Sequence, residues 1–188
     1  MPIPLGVLAV AGAGAAGGGG AFDLLETTVL GSDAASVTFS SLGSYSAYKH
    51  LQIRMVSRCT RAATIADTFV QVNGDTGNNY AYHRMLGSGS SVGEASSINR
   101  ANAFLAYTSA ANATANNFAT TVFDILDFSS TSKTTTFRSL TGMVNTSGNL
   151  IGLFSGLWNN TAAVTSINIF PEAGNFLTGS RFSLYGYK

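Results

Sequence analysis

Two histidines, His50 and His83, one cysteine, Cys59, and nine carboxylates are the groups of this 188-residue chain that acid–base, nucleophilic or metal chemistry would draw on. Their spacing does not assemble a site. A zinc or iron centre takes three or four ligands from His, Cys and carboxylates, yet the chain has no His-x-x-x-His, no Asp-x-Asp and no cysteine pair. Cys59 stands alone, which excludes an intrachain disulfide, and reads as a small half-buried residue near a strand end. Asp124 and Asp127 flank Ile125-Leu126, a spacing that sends them to opposite faces of a strand and denies them the facing arrangement that glycoside hydrolysis needs. No Gly-x-Ser-x-Gly elbow accompanies either histidine. His83, beside Tyr80, Tyr82 and Arg84, reads as a surface or structural residue. Asn73-Gly74-Asp75-Thr76-Gly77-Asn78-Asn79 has one acid, too few for a hard cation, and reads as a turn. The expectation is a non-enzymatic chain, with no catalytic, cofactor-binding or metal-ligating residue assigned and no cofactor.

Short extended segments must position whatever function there is. In His50-Leu51-Gln52-Ile53-Arg54-Met55-Val56, apolar and polar side chains alternate, so Leu51, Ile53 and Met55 face a core while Gln52 and Arg54 face out. Arg181 to Tyr187 repeats the scheme with Phe182 and Leu184 inward. Val37 with Phe39, Val70 with Val72, Phe123 with Ile125, and Ile167 with Ile169 extend it. About ten strands are expected, near 26–30, 36–39, 48–58, 68–73, 101–107, 118–128, 134–144, 150–157, 163–170 and 181–187. Residues 87–97 and 108–117 are small and polar without a core-forming period and read as loops, whereas Tyr80, Tyr82, His83 and Met85 belong to a short helix or a hairpin. The fold class is all-β, a jelly-roll-like antiparallel β-sandwich.

Composition points to a covered surface. Only 10% of residues are charged, against about 25% in typical soluble proteins, so the chain reads as a subunit whose surface is largely met by neighbours. A net charge of +1 argues against nucleic acid, and Arg54, Arg58 and Arg61 form only a small basic cluster. Residues 1–22 carry no charge and end in a Gly/Ala run. With no Lys or Arg before Lys49 and only Gly and Ala from Ala11 to Ala21, the segment reads neither as a secretory signal nor as a spanning helix. Gly12-Ala13-Gly14-Ala15-Ala16-Gly17 satisfies G-x-G-x-x-G, but four glycines follow where a dinucleotide site needs a helix. The expected organisation is an extended docking or trimer-axis arm, or else a disordered tail, over residues 1–22 and a sandwich over residues 23–188.

Trp158, the single tryptophan, ends a strand in Gly156-Leu157-Trp158-Asn159-Asn160-Thr161. An exposed indole there would stack on a sugar ring, and a buried one would close the core. The sequons at Asn112, Asn145 and Asn159 read as chance matches in an Asn- and Thr-rich chain.

One series of segments has a family look: Phe39-Ser40-Ser41-Leu42, Tyr48 to Arg54, Val72 to Tyr80, Phe123-Asp124-Ile125-Leu126-Asp127-Phe128, Gly156 to Ile167, and Gly179-Ser180-Arg181-Phe182-Ser183-Leu184-Tyr185-Gly186. The series resembles virion structural proteins of tailed bacteriophages, over roughly residues 22–188. The resemblance implies a β-sandwich assembled as a homo-oligomer, a homotrimer in the first reading, in a tail or head fibre, with capsid decoration or cement as the alternative. Implied partners are copies of itself and other tail, portal-adaptor or capsid proteins, and the implied location is the virion. A host-surface glycan, met through Trp158 or the Tyr80 and Tyr82 region, is the rival reading.

Overall fold

A computed structural model describes residues 21–145 and 148–188. Residues 1–20 of the expected arm, including the Gly12 to Gly17 motif, and part of the Asn145 sequon lie outside the described residues. The described chain forms twelve strands: β1 (Asp23–Val29), β2 (Val37–Phe39), β3 (His50–Ser57), β4 (Ile65–Val72), β5 (Tyr80–Ser88), β6 (Ser91–Arg100), β7 (Ala103–Ser109), β8 (Ala119–Ile125), β9 (Thr135–Asn145), β10 (Gly148–Trp158), β11 (Ile167–Pro171) and β12 (Arg181–Tyr187). All pairings between these strands are antiparallel.

Eight of these strands make the jelly roll. β1 pairs with β12, β2 with β11, β3 with β8 and β4 with β7, which is the pattern of one long antiparallel ribbon rolled up so that successive strands alternate between two sheets. The roll sets β1-β12-β3-β8 against β2-β11-β4-β7. Two inserted hairpins then lengthen one sheet only. β5–β6 enters between β4 and β7, β9–β10 enters between β8 and β11, and both join beyond β8 to give the order β1-β12-β3-β8-β9-β10-β5-β6.

The alternation read in β3 and β12 buries Leu51, Ile53, Met55, Phe182 and Leu184 between the sheets as expected, but Gln52, expected to face out with Arg54, is buried too, because its amide donates to Asp124 beside it. Each large side chain removed from water contributes roughly 1.5–3 kcal/mol before chain entropy is subtracted. β7 differs because Ala103-Phe104-Leu105-Ala106-Tyr107 is apolar at every position and every residue of the strand is buried. Such a run needs cover on both faces. The main core covers one side, and the inserted hairpins curl over the other to build a second cluster around Phe104, Tyr107, Met143, Leu150 and Phe154. Phe104 sits at its centre, with ring centroids of Tyr107 and Phe154 at 5.1 Å and of Phe69 and Tyr82 at 5.5 Å.

Residues 87–97, expected as a loop, are instead the heart of the β5–β6 hairpin. Ser88 faces Ser91 across the two-residue connection Gly89-Ser90, and Gly89 takes a positive φ of 72°, the conformation a II′ turn asks of its first residue. β6 is a sheet edge with almost every side chain in solvent, so it had no buried face to impress a period on its sequence. Near the other edge, Tyr48 lies flat on Gly186, where a Cβ would come within 2.5 Å of the ring, and its hydroxyl donates to Asp23 Oδ2 at 2.9 Å.

Asp67 of β4 makes one stability prediction available. Burial first, then the charge of Glu172, push its carboxyl up to about 6, against the pull of Arg84 and Arg61. The native state therefore holds this proton between about pH 4 and 6 while the unfolded chain, titrating near 3.9, has released it. Its effect favours folding at the acidic end of that window and is lost as pH rises through 6. Asp67→Asn is expected to flatten this limb and to raise stability at pH 7 by on the order of 1–2 kcal/mol, allowing for solvent screening. Urea unfolding at pH 5 and pH 7 checks it, and an unchanged pH slope in the variant would refute it.

Candidate functional site

The groups with catalytic potential are scattered. His50 on β3 accepts a hydrogen bond at Nδ1 from the Asp127 amide at 2.9 Å and packs on Tyr187 at 5.0 Å. His83 on β5 lies 3.4 Å from Glu94, in solvent. Four strand intervals of about 4.8 Å separate β3 from β5, so the two imidazoles cannot cooperate. Cys59 is buried, and that burial pushes its thiol up. Asp124 stays in β8, accepting from Gln52 Nε2 and Arg138 Nε, both at 2.8 Å. Asp127 lies beyond the strand at a φ of 49° and is held by Lys133. The described residues hold no group of three or more His, Cys, Asp and Glu side chains placed to take a metal.

The aromatic candidates are structural. Trp158 is 1% exposed, so its indole offers no face to a sugar, and its Nε1 donates to Asp75 Oδ2 at 2.7 Å. Asp75 also accepts from the Gly77 amide at 2.8 Å and from Asn79 Nδ2 at 2.9 Å. Three donors on one carboxylate, the indole foremost, hold its pKa below the ordinary value. Tyr80 is buried, donating to the Asp75 carbonyl at 3.0 Å and accepting from the Val72 amide at 2.9 Å. Tyr82 meets Phe104 edge-on. The Asn73 to Asn79 segment is the turn it was read to be, built around one carboxylate.

The arginine cluster disperses too. Arg54 points outward between two rings, its guanidinium carbon 4.4 Å from the Tyr185 centroid and 5.3 Å from that of Phe22. Arg61 pairs with Glu172 and donates to the Ile65 carbonyl. Arg58 is buried, with Nη1 donating to the carbonyls of Thr114 and Asn117 at 2.7 and 2.9 Å and Nη2 to those of Ala111 and Ala113 at 3.1 and 3.0 Å. That side chain is a clamp on the β7–β8 connection.

The chemistry that remains lies on the outer face of the long sheet. The registers define a row of cross-strand neighbours over six strands: Arg54, Val122, Leu140, Leu153, Met85, Glu94. Beside it runs Val56, Thr120, Gly142, Ile151, Gly87, Val92. Val122, Leu140, Leu153, Met85, Ile151 and Val92 are all exposed, from 38% to 82%. Together they leave roughly 600 Å² of apolar surface open, at the upper end of the ~300–600 Å² expected of the largest patch on a monomer. A polar row, Gln52, Asp124, Arg138, Ser155, His83, Ser96, borders the patch on one side.

No family model, curated protein or solved structure matches this chain. The open face must therefore speak through its own composition. It is the convex outer side of the curled sheet, with charge only at its margins, so it has the chemistry of an interface rather than of an enclosed substrate cleft. Reading for reactive side chains missed it, although β10 carried the signal: Leu150-Ile151-Gly152-Leu153-Phe154 is apolar at both parities, and a strand of that kind is greasy on both sides.

Proposed function

We propose that this chain is a non-enzymatic structural subunit of a tailed-bacteriophage particle, in a tail or head fibre, with capsid decoration or cement as the alternative placement. The observation that carries the reading is the open apolar face across β8, β9, β10, β5 and β6, which a single copy leaves in water. A chain with 10% charged residues has little else to keep such a face from a partner. The jelly-roll framework supports the reading as a scaffold common in capsid and lectin domains, and so does the resemblance of the segments from Phe39 to Gly186. In this reading residues 1–22 dock on other virion proteins and gather copies about a three-fold axis, and the sandwich domains present their loops outward. Glycan recognition through Trp158 is set aside because the indole is enclosed.

Electron microscopy of purified particles carrying a label on this subunit tests the proposal. Label on tail, baseplate or capsid is the expected result; label confined to unassembled protein would remove it.

A further inference from the structure

The chain enters the described domain beside its open apolar face. Phe22, just before β1, has its ring centroid 4.8 Å from that of Tyr187 and 5.3 Å from the guanidinium carbon of Arg54, the first member of the apolar row. The residues that precede it therefore start from the outer side of the long sheet. Leu140, in the middle of the patch, lies four strand intervals from β1 and about four residues further along the strands, roughly 23 Å in all. The stretch from Ala11 to Ala21 is only Gly and Ala and can span about 36 Å when extended. A tether of that length sets Ile3 to Val10 over the patch, with slack for the curve of the sheet.

The segment at the end of that tether matches the face. Ile3-Pro4-Leu5-Gly6-Val7-Leu8-Ala9-Val10 has no charged and no polar side chain, and an extended backbone sends Ile3, Leu5 and Val7 to one side. The face has hollows to receive them. One of about 190 Å³ lies among Met85, Gly87, Val92, Ile151 and Leu153, and about 150 Å³ suffices for a benzene-sized group. Two more, of about 340 and 410 Å³, flank it, and Leu140 borders all three. Pro2 and Pro4 lack the N–H that pairing needs, so the segment is a poor strand to add to an edge such as β6 and a suitable one to lie on a face. A single extended segment can follow a convex surface and keep its outer backbone groups in water.

We propose that the chain's own leader covers the outer face of the long sheet, with Ile3 to Val10 laid over the hollows around Leu140 and residues 11–21 as the tether. Tethering makes the contact intramolecular, at an effective concentration in roughly the millimolar range, so it forms ahead of contacts between dilute copies. The contact belongs to the free subunit and stands apart from the virion reading. On a particle, a leader drawn off to another protein uncovers the face for a neighbour, so the apolar patch opens only where assembly takes place.

The test is the rate of peroxide oxidation of Met85 in the full-length chain, followed by peptide mass spectrometry. Met85 is 54% exposed in the domain, whereas Met55 and Met143 are buried and report that the fold is intact. In the double variant Leu5→Asp, Val7→Asp, whose charges hold the segment off the face, Met85 is expected to oxidise at least ~10-fold faster than in the wild type, with Met55 and Met143 slow in both. Leu140→Lys, at an exposed position on the face itself, is expected to free Met85 in the same way. Protection in the wild type is expected to be equal at about 1 and 100 µM chain. Equal Met85 rates in the wild type and the leader variant overturn the proposal. Protection that arises only at the higher concentration overturns it too, because the occupant is then a second copy. Particles that lack the subunit while Met85 stays shielded in the free chain remove the virion reading and leave the leader contact standing.

Discussion

Arg58→Ala is expected to destabilise the domain by about 3–5 kcal/mol, the range in which buried charged networks fail once one member is removed. The guanidinium serves four backbone carbonyls, those of Ala111, Ala113, Thr114 and Asn117, in the connection between β7 and β8. Without it these oxygens lose their donors, each at a cost of about 1–3 kcal/mol before water enters and the loop relaxes. In a domain of this size that total lowers the melting temperature by roughly 10 °C. Arg58→Lys should recover only part of the loss, because an ammonium is a single point and cannot span carbonyls that the planar fork reaches on both sides. Thermal unfolding of the two variants gives the comparison. Amide exchange accelerated across residues 110–117 would locate the damage, and an Arg58→Ala variant melting within about 2 °C of the parent would refute the clamp.

Asp75→Asn is the second large effect. The substitution is nearly isosteric, but it turns an amide towards two donors, Trp158 Nε1 and Asn79 Nδ2, where a carboxylate oxygen accepted from both. An amide whose oxygen takes the Oδ2 place keeps both side-chain donors on a weaker, neutral acceptor and turns its NH2 onto the Gly77 N–H that Oδ1 accepted; the flipped amide leaves both side chains without an acceptor, and the indole is enclosed. The expected cost is about 2–3 kcal/mol, read by urea unfolding. Trp158, as the single tryptophan, reports the local change through its emission. The lowered carboxyl pKa adds a pH signature with a definite sign. This contribution is present above the ordinary carboxylate range and is lost as pH falls through the folded value, so the variant should lose less stability on acidification than the parent. Equal acid sensitivity in both proteins would count against the carboxylate's role in the turn.

Residues that face a core on one side were legible in the sequence. Leu51, Ile53 and Met55, and Phe182 with Leu184, announced their strands because one face met apolar neighbours and the other did not. The all-β class followed from such segments. What escaped lacked that contrast. β6 is polar on both sides, and its Gly89-Ser90 turn was hidden among other Gly and Ser residues. The outward row of Val122, Leu140, Leu153 and Met85 could not be read because its members come from four strands in three separate stretches of chain, brought side by side only when the two hairpins join one sheet. Arg58 was misread for a related reason. Its neighbours in sequence are Arg54 and Arg61, yet its partners are carbonyls more than fifty residues further along the chain.

Adjacency of β1 and β12 has a mechanical corollary. Asp23 is opposite Gly186, so traction applied at residue 21 against residue 188 loads the ladder from one end and opens its bonds in succession, the weak direction of an antiparallel ribbon. The Tyr48 hydroxyl on Asp23, with its ring seated on Gly186, is then the latch that must give before unzipping starts. A tether leaving at residue 21 and hauled along the strand axis, against a domain gripped by its broad flank, instead shears all the rungs together. The same jelly roll is thus fragile or tough according to where a particle holds it.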